Sequence, residues 1–206
     1  MPIPNLALEY SLWGMGYKFI TGIDEVGRGS WAGPLVAAAV ILPQSFKIPK
    51  VFGDSKQLRP KKRREIAGYI RKNSVSYSIA EIPVSIIDKV GVGKANQMAF
   101  RKVLRELKTK VDFILIDAFY IKHVSKRKQM AIKGGDQISA SIAAASIIAK
   151  VYRDSLMKRL SKTYPLYKFA KHKGYGTKIH QEAIRVHGFT KIHRASYNLN
   201  FILENK

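Results

Sequence analysis

Residues 19–42 read FITGIDEVGRGSWAGPLVAAAVIL, and this stretch limits the fold more than any other part of the chain. A short apolar run leads in and Leu35 to Leu42 leads out, both in the manner of buried β-strands, with Gly33-Pro34 as the turn signal between them. Between the two runs Asp24 and Glu25 stand side by side, just ahead of Gly27-Arg28-Gly29. Acids are almost never fully buried unless something pairs with them. The pair therefore calls for a cation, an arginine or a helix end. Adjacent residues of a regular strand point to opposite faces. If both acids are to meet one partner, the strand is expected to end or distort, and Gly27 marks the place. A lysine partner for Glu25 is the plainer alternative.

The rest of the chain reads as mixed α/β without repeats or low-complexity segments. Strands are expected at 19–26, 35–42, 75–82 and 112–117, with a weaker one at 129–133, and helices at 60–73, 94–109, 139–162 and 178–187. Pro60 opens the first of these helices, where Ile66, Tyr69 and Ile70 fall at helical spacing and the Lys and Arg positions form a solvent face. After about residue 162 Lys, His, Tyr and Gly crowd together. The expected division is a core over 1–162 and a basic, helical C-terminal segment over 163–206 packed on it.

Composition decides the class of partner. A chain of 206 residues with 46% hydrophobic content suffices for one domain with a sizeable core. Its 37 Lys and Arg against 14 Asp and Glu give a net charge of +23, which points to a nucleic-acid backbone. There is no cysteine, hence no disulfide framework and no thiolate metal site. No stretch approaches the roughly 20 apolar residues of a membrane span. A soluble cytoplasmic protein is expected, with nucleic acid and no membrane as partner.

Two apparent motifs fail on spacing. GVGK at 91–94 would need glycine where Asp88 stands, and Ala95 replaces the Ser or Thr of a phosphate-binding loop. His172, His180, His187 and His193 lack the i, i+4 spacing or neighbouring cysteine of a zinc site, and are read as solvated or facing nucleic acid.

Two further carboxylates fit better. Asp117 ends the apolar run FILID, at the carboxyl end of a strand where ligands of open α/β sheets bind, while Asp112 falls on the opposite face. Asp136 follows Gly134-Gly135 ahead of the long helix, and Asp154 within that helix is its rival, suited to an ion pair with Lys150. Four converging carboxylates would repel by about 4 kcal/mol per pair at 4 Å and an effective dielectric of 20. Bound cations would offset that, and oxygen-only ligands suit Mg²⁺ or Mn²⁺.

The segments GIDEVGRGSWAGPLVAAAVIL, GDSKQL with the basic helix after it, ILIDA, GGDQISASIAAASIIAKVYRD, KHKGYGTKIH and IHRASY together resemble ribonuclease HII, the type 2 ribonuclease H, in its bacterial form. The resemblance runs from about residue 20 to 197. It implies a ribonuclease H-like fold, a mixed five-stranded sheet flanked by helices. It implies cleavage of RNA in RNA/DNA hybrids and on the 5′ side of ribonucleotides embedded in duplex DNA, leaving 5′-phosphate and 3′-hydroxyl ends, with two divalent ions; a monomer is expected. Carried over by position, the family's metal-binding carboxylates fall on Asp24, Glu25, Asp117 and Asp136. Its ribose-contacting glycine-arginine-glycine falls on Gly27, Arg28 and Gly29, its phosphate-contacting lysine on Lys56 and its junction-sensing tyrosine on Tyr175. Arg28 as a plain phosphate contact or acid partner, and Tyr175 as a packed core residue, are the alternatives. Trp31, where the family has a smaller aliphatic residue, and the ending ASYNLNF are departures that bear on substrate fit.

Overall fold

The computed structural model of the chain describes residues 3–52 and 58–204. In chain order its elements are α1 (Ala7–Gly14), β1 (Ile20–Val26), β2 (Leu35–Ile41), α2 (Pro60–Asn73), β3 (Ser76–Ile82), α3 (Val84–Val90) and α4 (Val92–Glu106). There follow β4 (Phe113–Asp117), β5 (Gln129–Ile132), α5 (Ala140–Thr163), α6 (Phe169–His172), α7 (Lys178–His187) and α8 (Phe201–Glu204). The strands form one five-stranded sheet in the order β3-β2-β1-β4-β5. β1 runs antiparallel to β2, and β2 to β3, while β1, β4 and β5 are parallel. The sheet is therefore mixed, with the strands expected from the sequence.

β2 is buried over its whole length, because helices cover both faces of the sheet. Strand alternation sorts its side chains: Val36, Ala38 and Val40 pack with α2 and α5, whereas Leu35, Ala37, Ala39 and Ile41 pack with α4. Each Ile or Phe buried in these layers, such as Ile148 or Phe100, contributes about 1.5–3 kcal/mol. The alanines keep the helices close. The tightest approach is at Gly22, where a β-carbon would lie 2.0 Å from the main-chain carbon of Ser141. Only glycine permits that contact, and it seats the first turn of α5 directly on β1, two residues before Asp24.

Ser139 caps α5, its side chain accepting from Ile142 N at 3.2 Å. A second tie comes from α1, which is not among the helices expected from the sequence. Glu9, fully buried, accepts from Ser139 Oγ at 2.6 Å, Ser141 N at 3.0 Å and Ser141 Oγ at 2.7 Å. α1 and α3 carry too few periodic apolar residues to be read ahead of tertiary contact. Beyond the sheet, Met157 of α5, Tyr167, Phe169 and Ile184 form a separate apolar cluster with Ala32, Leu199 and Ile202. This cluster seats the C-terminal segment on α5. Among the described residues no helix is long and apolar enough to cross a membrane.

Candidate active site

The parallel register of β1 and β4, with Ile23 opposite Ile116, brings Asp24 and Asp117 side by side at the carboxyl ends of the two strands. Asp117 Oδ1 accepts from the main-chain N–H of Gly135 at 2.8 Å, which ties the Gly-Gly-Asp turn to β4 and delivers Asp136 to the same end of the sheet. That turn depends on Gly134 at φ +67° and on Gly135, where a β-carbon would meet Ile142 Cδ1 at 2.6 Å. All three acids and Glu25 line one cleft of about 570 Å³. Sequence reading had the four together; the structure brings them to one cleft.

β1 ends at Val26, just ahead of Gly27 as expected, but it is not distorted at the two acids. β1 pairs regularly with β2 through Asp24–Ala38, Glu25–Ala37 and Val26–Val36, so the two acids leave the sheet on opposite faces, Asp24 toward Ser146 of α5 and Glu25 toward Asn96 of α4. They share the cleft because it opens at the end of the sheet, where both faces are within reach. No distortion is needed.

Two of the acids are held in an unfavourable charged form. Burial, then Glu25, then Asp117 and Asp136 push the carboxyl of Asp24 well above its ordinary range, against a hydrogen bond from Ser146. Burial pushes Glu25 up to about 7, with Arg28 opposing and Asp117 adding to the shift. Glu25 Oε2 is buried without a hydrogen-bond partner. The alternative of a lysine partner for Glu25 fails: none of the ion pairs among the described residues includes Asp24, Glu25 or Asp117. Nor do three acids or histidines close into a metal-ligand cluster among the described residues, so the acids stand apart around the cleft.

Asp154 lines the same cleft but is already paired. Arg63 Nη1 lies 3.1 Å from its Oδ2 and Lys150 Nζ 2.7 Å from its Oδ1. The pairing with Lys150 is the i, i+4 one expected. Arg63 corrects the reading of α2, in which every Lys and Arg was placed on the solvent face: it is buried, turned inward to Asp154 and to the carbonyl of Leu58 at 2.7 Å. Asp154, partly buried on α5 with one carboxylate oxygen on Lys150 and the other open to a second cation, supplies the reason.

The loop after β1 is organised by two buried arginines whose roles the sequence did not disclose. Arg153, 0% exposed, donates to Pro34 O at 2.9 Å, Lys173 O at 2.9 Å, Ser30 Oγ at 2.7 Å and Ala32 O at 3.1 Å. Burial lowers its pKa to about 10. Arg194 holds Gly33 O through Nε at 3.1 Å and Nη2 at 2.9 Å, and Arg28 O through Nη1 at 2.9 Å. Gly27, at φ +87°, faces inward: a β-carbon there would meet Arg153 Nε at 2.1 Å. Gly29 has open space where its β-carbon would be. Arg28 lies with its guanidinium 4.4 Å from the ring centre of Phe119. Lys56 lies outside the described residues.

Tyr175 is 36% exposed, lines the acid cleft, and has Arg153 5.6 Å from its ring centre. Its flanking glycines serve the backbone. A β-carbon on Gly174, at φ +84°, would lie 2.3 Å from Ala32 O, and one on Gly176 would lie 2.2 Å from the ring of Trp31. The histidines require a correction. His172, His180 and His193 are buried, not solvated: His172 stacks on His180, which meets His193 at a tilt; of the four, His187 alone is exposed. An imidazole whose two nitrogens both find partners is a good core residue, and spacing along the chain does not report that.

The family model described as Ribonuclease HII matches residues 21–200. The chain belongs to the ribonuclease HII family. The ribonuclease HII of Caldanaerobacter subterraneus subsp. tengcongensis is 46% identical over 189 residues, which is 92% of this chain and 78% of that protein. In three dimensions the chain is similar to the ribonuclease H2 of Pyrococcus horikoshii, with a TM-score of 0.74, 24% identity and coverage of 90% of this chain and 97% of that one. It is also similar to Bst-RNase HIII, solved in complex with Mn²⁺, with a TM-score of 0.64, 22% identity and coverage of 84% and 63%. These likenesses show the ribonuclease H-like fold. As a ribonuclease HII the chain is a hydrolase, an endonuclease that acts on the RNA of RNA/DNA hybrids.

Proposed function

We propose that this ribonuclease HII cuts the RNA strand of hybrids and also the 5′ side of ribonucleotides embedded in duplex DNA, leaving 5′-phosphate and 3′-hydroxyl ends. Asp24, Glu25, Asp117 and Asp136 would hold two divalent ions, Mg²⁺ or Mn²⁺. The observation that carries this reading is the group of acids at the carboxyl end of β1 and β4, where among the described residues no ion pair reaches Asp24, Glu25 or Asp117, and Glu25 is pushed up to about 7 and keeps an unpartnered Oε2. The donors are all oxygens, which suits hard divalent cations. The cleft's own Arg63 and Lys150 are paired with Asp154 and form no ion pair with Asp24, Glu25 or Asp117. The Mn²⁺ of Bst-RNase HIII accords with this choice. Bound divalent ions would supply activation of water and relief of charge at the scissile phosphate.

The chain's own residues position the substrate. Gly29 leaves the backbone beside the acids open to a ribose, and the 2′-hydroxyl is the group that separates RNA from DNA. Arg28 and Lys171 offer phosphate contacts on either side of the acids, and Tyr175 presents a ring to the sugar or base at the RNA-to-DNA junction. Lys56 is proposed as a further phosphate contact. The segment 163–206 contributes Lys171, Lys173 and Tyr175 to the cleft, which supports a substrate-binding role for it. A sequence without cysteine suits the reducing cytoplasm.

The test is cleavage of a labelled duplex carrying one ribonucleotide, with Mg²⁺, with Mn²⁺ and with chelator, beside an all-DNA duplex. Metal-dependent cutting on the 5′ side of the ribonucleotide is expected, and the all-DNA control should stay intact. Cleavage that survives chelation would overturn the metal role, and cutting of the all-DNA duplex would overturn the 2′-hydroxyl role.

A further inference from the structure

We propose that His180 is the positioning residue for Tyr175, the middle member of a directional relay of three neutral imidazoles that fixes the main chain at 172–175. The inference rests on Tyr175 being a substrate contact, and its first half is open to a test that does not involve catalysis.

The direction of the relay follows from which groups donate. A carbonyl only accepts and a main-chain N–H only donates. His172 Nε2 lies 2.7 Å from Tyr167 O, so it carries the proton, and its bare Nδ1 accepts from Gly174 N at 3.2 Å. His180 Nδ1 lies 3.0 Å from Tyr175 O, so its proton is on Nδ1 and its Nε2 is bare. His193 Nδ1 accepts from Thr190 N at 2.8 Å, so its proton is on Nε2. The two Nε2 atoms of His193 and His180 face each other at 3.0 Å. One is a donor and the other an acceptor. The three assignments come from separate backbone groups and close without conflict.

A single histidine with two bonded nitrogens is ordinarily no more than a satisfied core residue. Here two of the rings, stacked on each other, converge on one short segment beside the acid cleft. His172 holds the N–H of Gly174 and His180 holds the carbonyl of Tyr175, with the two rings stacked at 4.4 Å between centroids. Tyr175 O also accepts from Thr177 N at 2.8 Å, Gly174 O accepts from Trp31 N at 2.8 Å, and Lys173 O accepts from Arg153. The peptide units on both sides of Tyr175 are thereby fixed, and side-chain rotation is the freedom left to its ring.

The relay tolerates no added proton. Charging His180 or His193 sets N–H against N–H, and charging His172 sets its Nδ1–H against the Gly174 amide. The groups facing the rings are Tyr167, Tyr175 and Lys173, with Arg153 behind the Tyr175 ring; none is a carboxylate. Burial accordingly holds His180 and His193 down to about 4.

The experiment combines ¹⁵N-resolved imidazole spectra of the wild-type protein at neutral pH with kinetics of His180→Leu and His180→Asn on a single-ribonucleotide duplex. The expected tautomers are Nδ1–H at His180 and Nε2–H at His172 and His193. A cationic His180, or one protonated on Nε2, overturns the relay. His180→Leu should lower kcat/KM about tenfold or more, and His180→Asn, whose carboxamide sits near the Nδ1 position and donates, should restore most of it. Combining His180→Leu with Tyr175→Ala should cost no more than Tyr175→Ala alone, whereas additive losses would overturn action through Tyr175. If His180→Leu does not fold, the tautomer spectrum and the Asn variant decide: a changed spectrum pattern, or an Asn variant about tenfold impaired, counts against the relay. A Tyr175→Ala enzyme with wild-type rates would remove the substrate role of Tyr175, and the positioning role with it, while leaving the tautomer pattern standing.

Discussion

Gly27 and Arg153 share one space: a β-carbon on Gly27 would lie 2.1 Å from Arg153 Nε, at a residue whose φ is +87°. Gly27→Ala therefore strains the backbone and displaces a buried guanidinium that holds four oxygens of the 30–34 loop and Lys173. A loss on the order of 3 kcal/mol is expected in urea unfolding. Gly29→Ala meets no atom within 4 Å and should leave stability within about 0.5 kcal/mol of wild type while lowering cleavage of ribonucleotide-containing duplex. Equal stability losses in the two variants would contradict this division of labour.

The disfavoured charge of the acid cleft gives a metal-linked stability. In chelator, Asp24→Asn should be at least as stable as wild type, because it removes a carboxyl that burial and Glu25 already disfavour in its charged form. In Mn²⁺ at about a hundredfold over Kd the wild type should gain about 3 kcal/mol, a Tm rise of roughly 6–10 °C for a chain of this size. Asp24→Asn should lose most of that rise together with cleavage. Calorimetry with and without metal reads both, and an unchanged metal-induced rise in the variant would remove Asp24 from the ligand set.

Asp154 and Asp136 are told apart by their partners. Asp154→Asn leaves buried Arg63 facing a neutral amide, and a loss of about 2 kcal/mol or more is expected from breaking a largely buried pair. Its metal-induced Tm rise should persist. Asp136→Asn should behave in the opposite way, folding well and losing the metal response. A reversed outcome would make Asp154 the ligand.

The buried imidazoles set an acid limit on stability. His180 and His193 lose their protons at about 4 in the folded chain against a reference of 6.5. Between those values the unfolded chain binds more protons than the folded one, so stability is full above about 6.5 and falls as pH drops toward 4. Each ring contributes at most about 1.4 kcal/mol per pH unit in that window. His193→Gln keeps a donor toward His180 and removes one titrating group, so its stability should fall less steeply with acid than that of wild type. Urea unfolding at several pH values compares the slopes, and the opposite contributions of Asp24 and Glu25 cancel between the two proteins. Parallel slopes would place His193 outside the buried relay.

What the sequence disclosed and what it withheld follow one physical line. β1, β2 and β4 were legible because a strand covered on both faces must be a continuous apolar run, and acids interrupting such a run at its carboxyl end stand out. Asp117 and Asp136 were legible for the same reason, one ending FILID and the other following a glycine pair. Arg63, Arg153, Arg194 and the three buried histidines were not: the arginines meet a carboxylate or carbonyls from distant parts of the chain, and the histidines bond nearby backbone groups whose placement spacing does not report. A basic residue beside other basic residues looks solvated until its partner is known. Within the alanine- and isoleucine-rich first half of α5 Ser146 stood out, whereas Arg153 and Asp154 fall in its basic second half.

Tyr175 is expected to read the RNA-to-DNA junction through its ring and not to transfer protons. An aromatic face stacked on a sugar or base is worth roughly 1–3 kcal/mol. Its main chain is held by His180 N–H and Thr177 N–H, and its ring lies beside Arg153 at the edge of the acid cleft. Tyr175→Ala should therefore keep the fold and the metal-induced Tm rise and lose about 5- to 150-fold in kcat/KM on a single-ribonucleotide duplex, the kinetic equivalent of that stacking energy. Tyr175→Phe should retain most of the rate. Steady-state kinetics of the three proteins on one substrate decide between the possibilities. Wild-type rates in Tyr175→Ala would show a ring that merely packs, and a phenylalanine variant as slow as the alanine one would move the function from the ring to its hydroxyl.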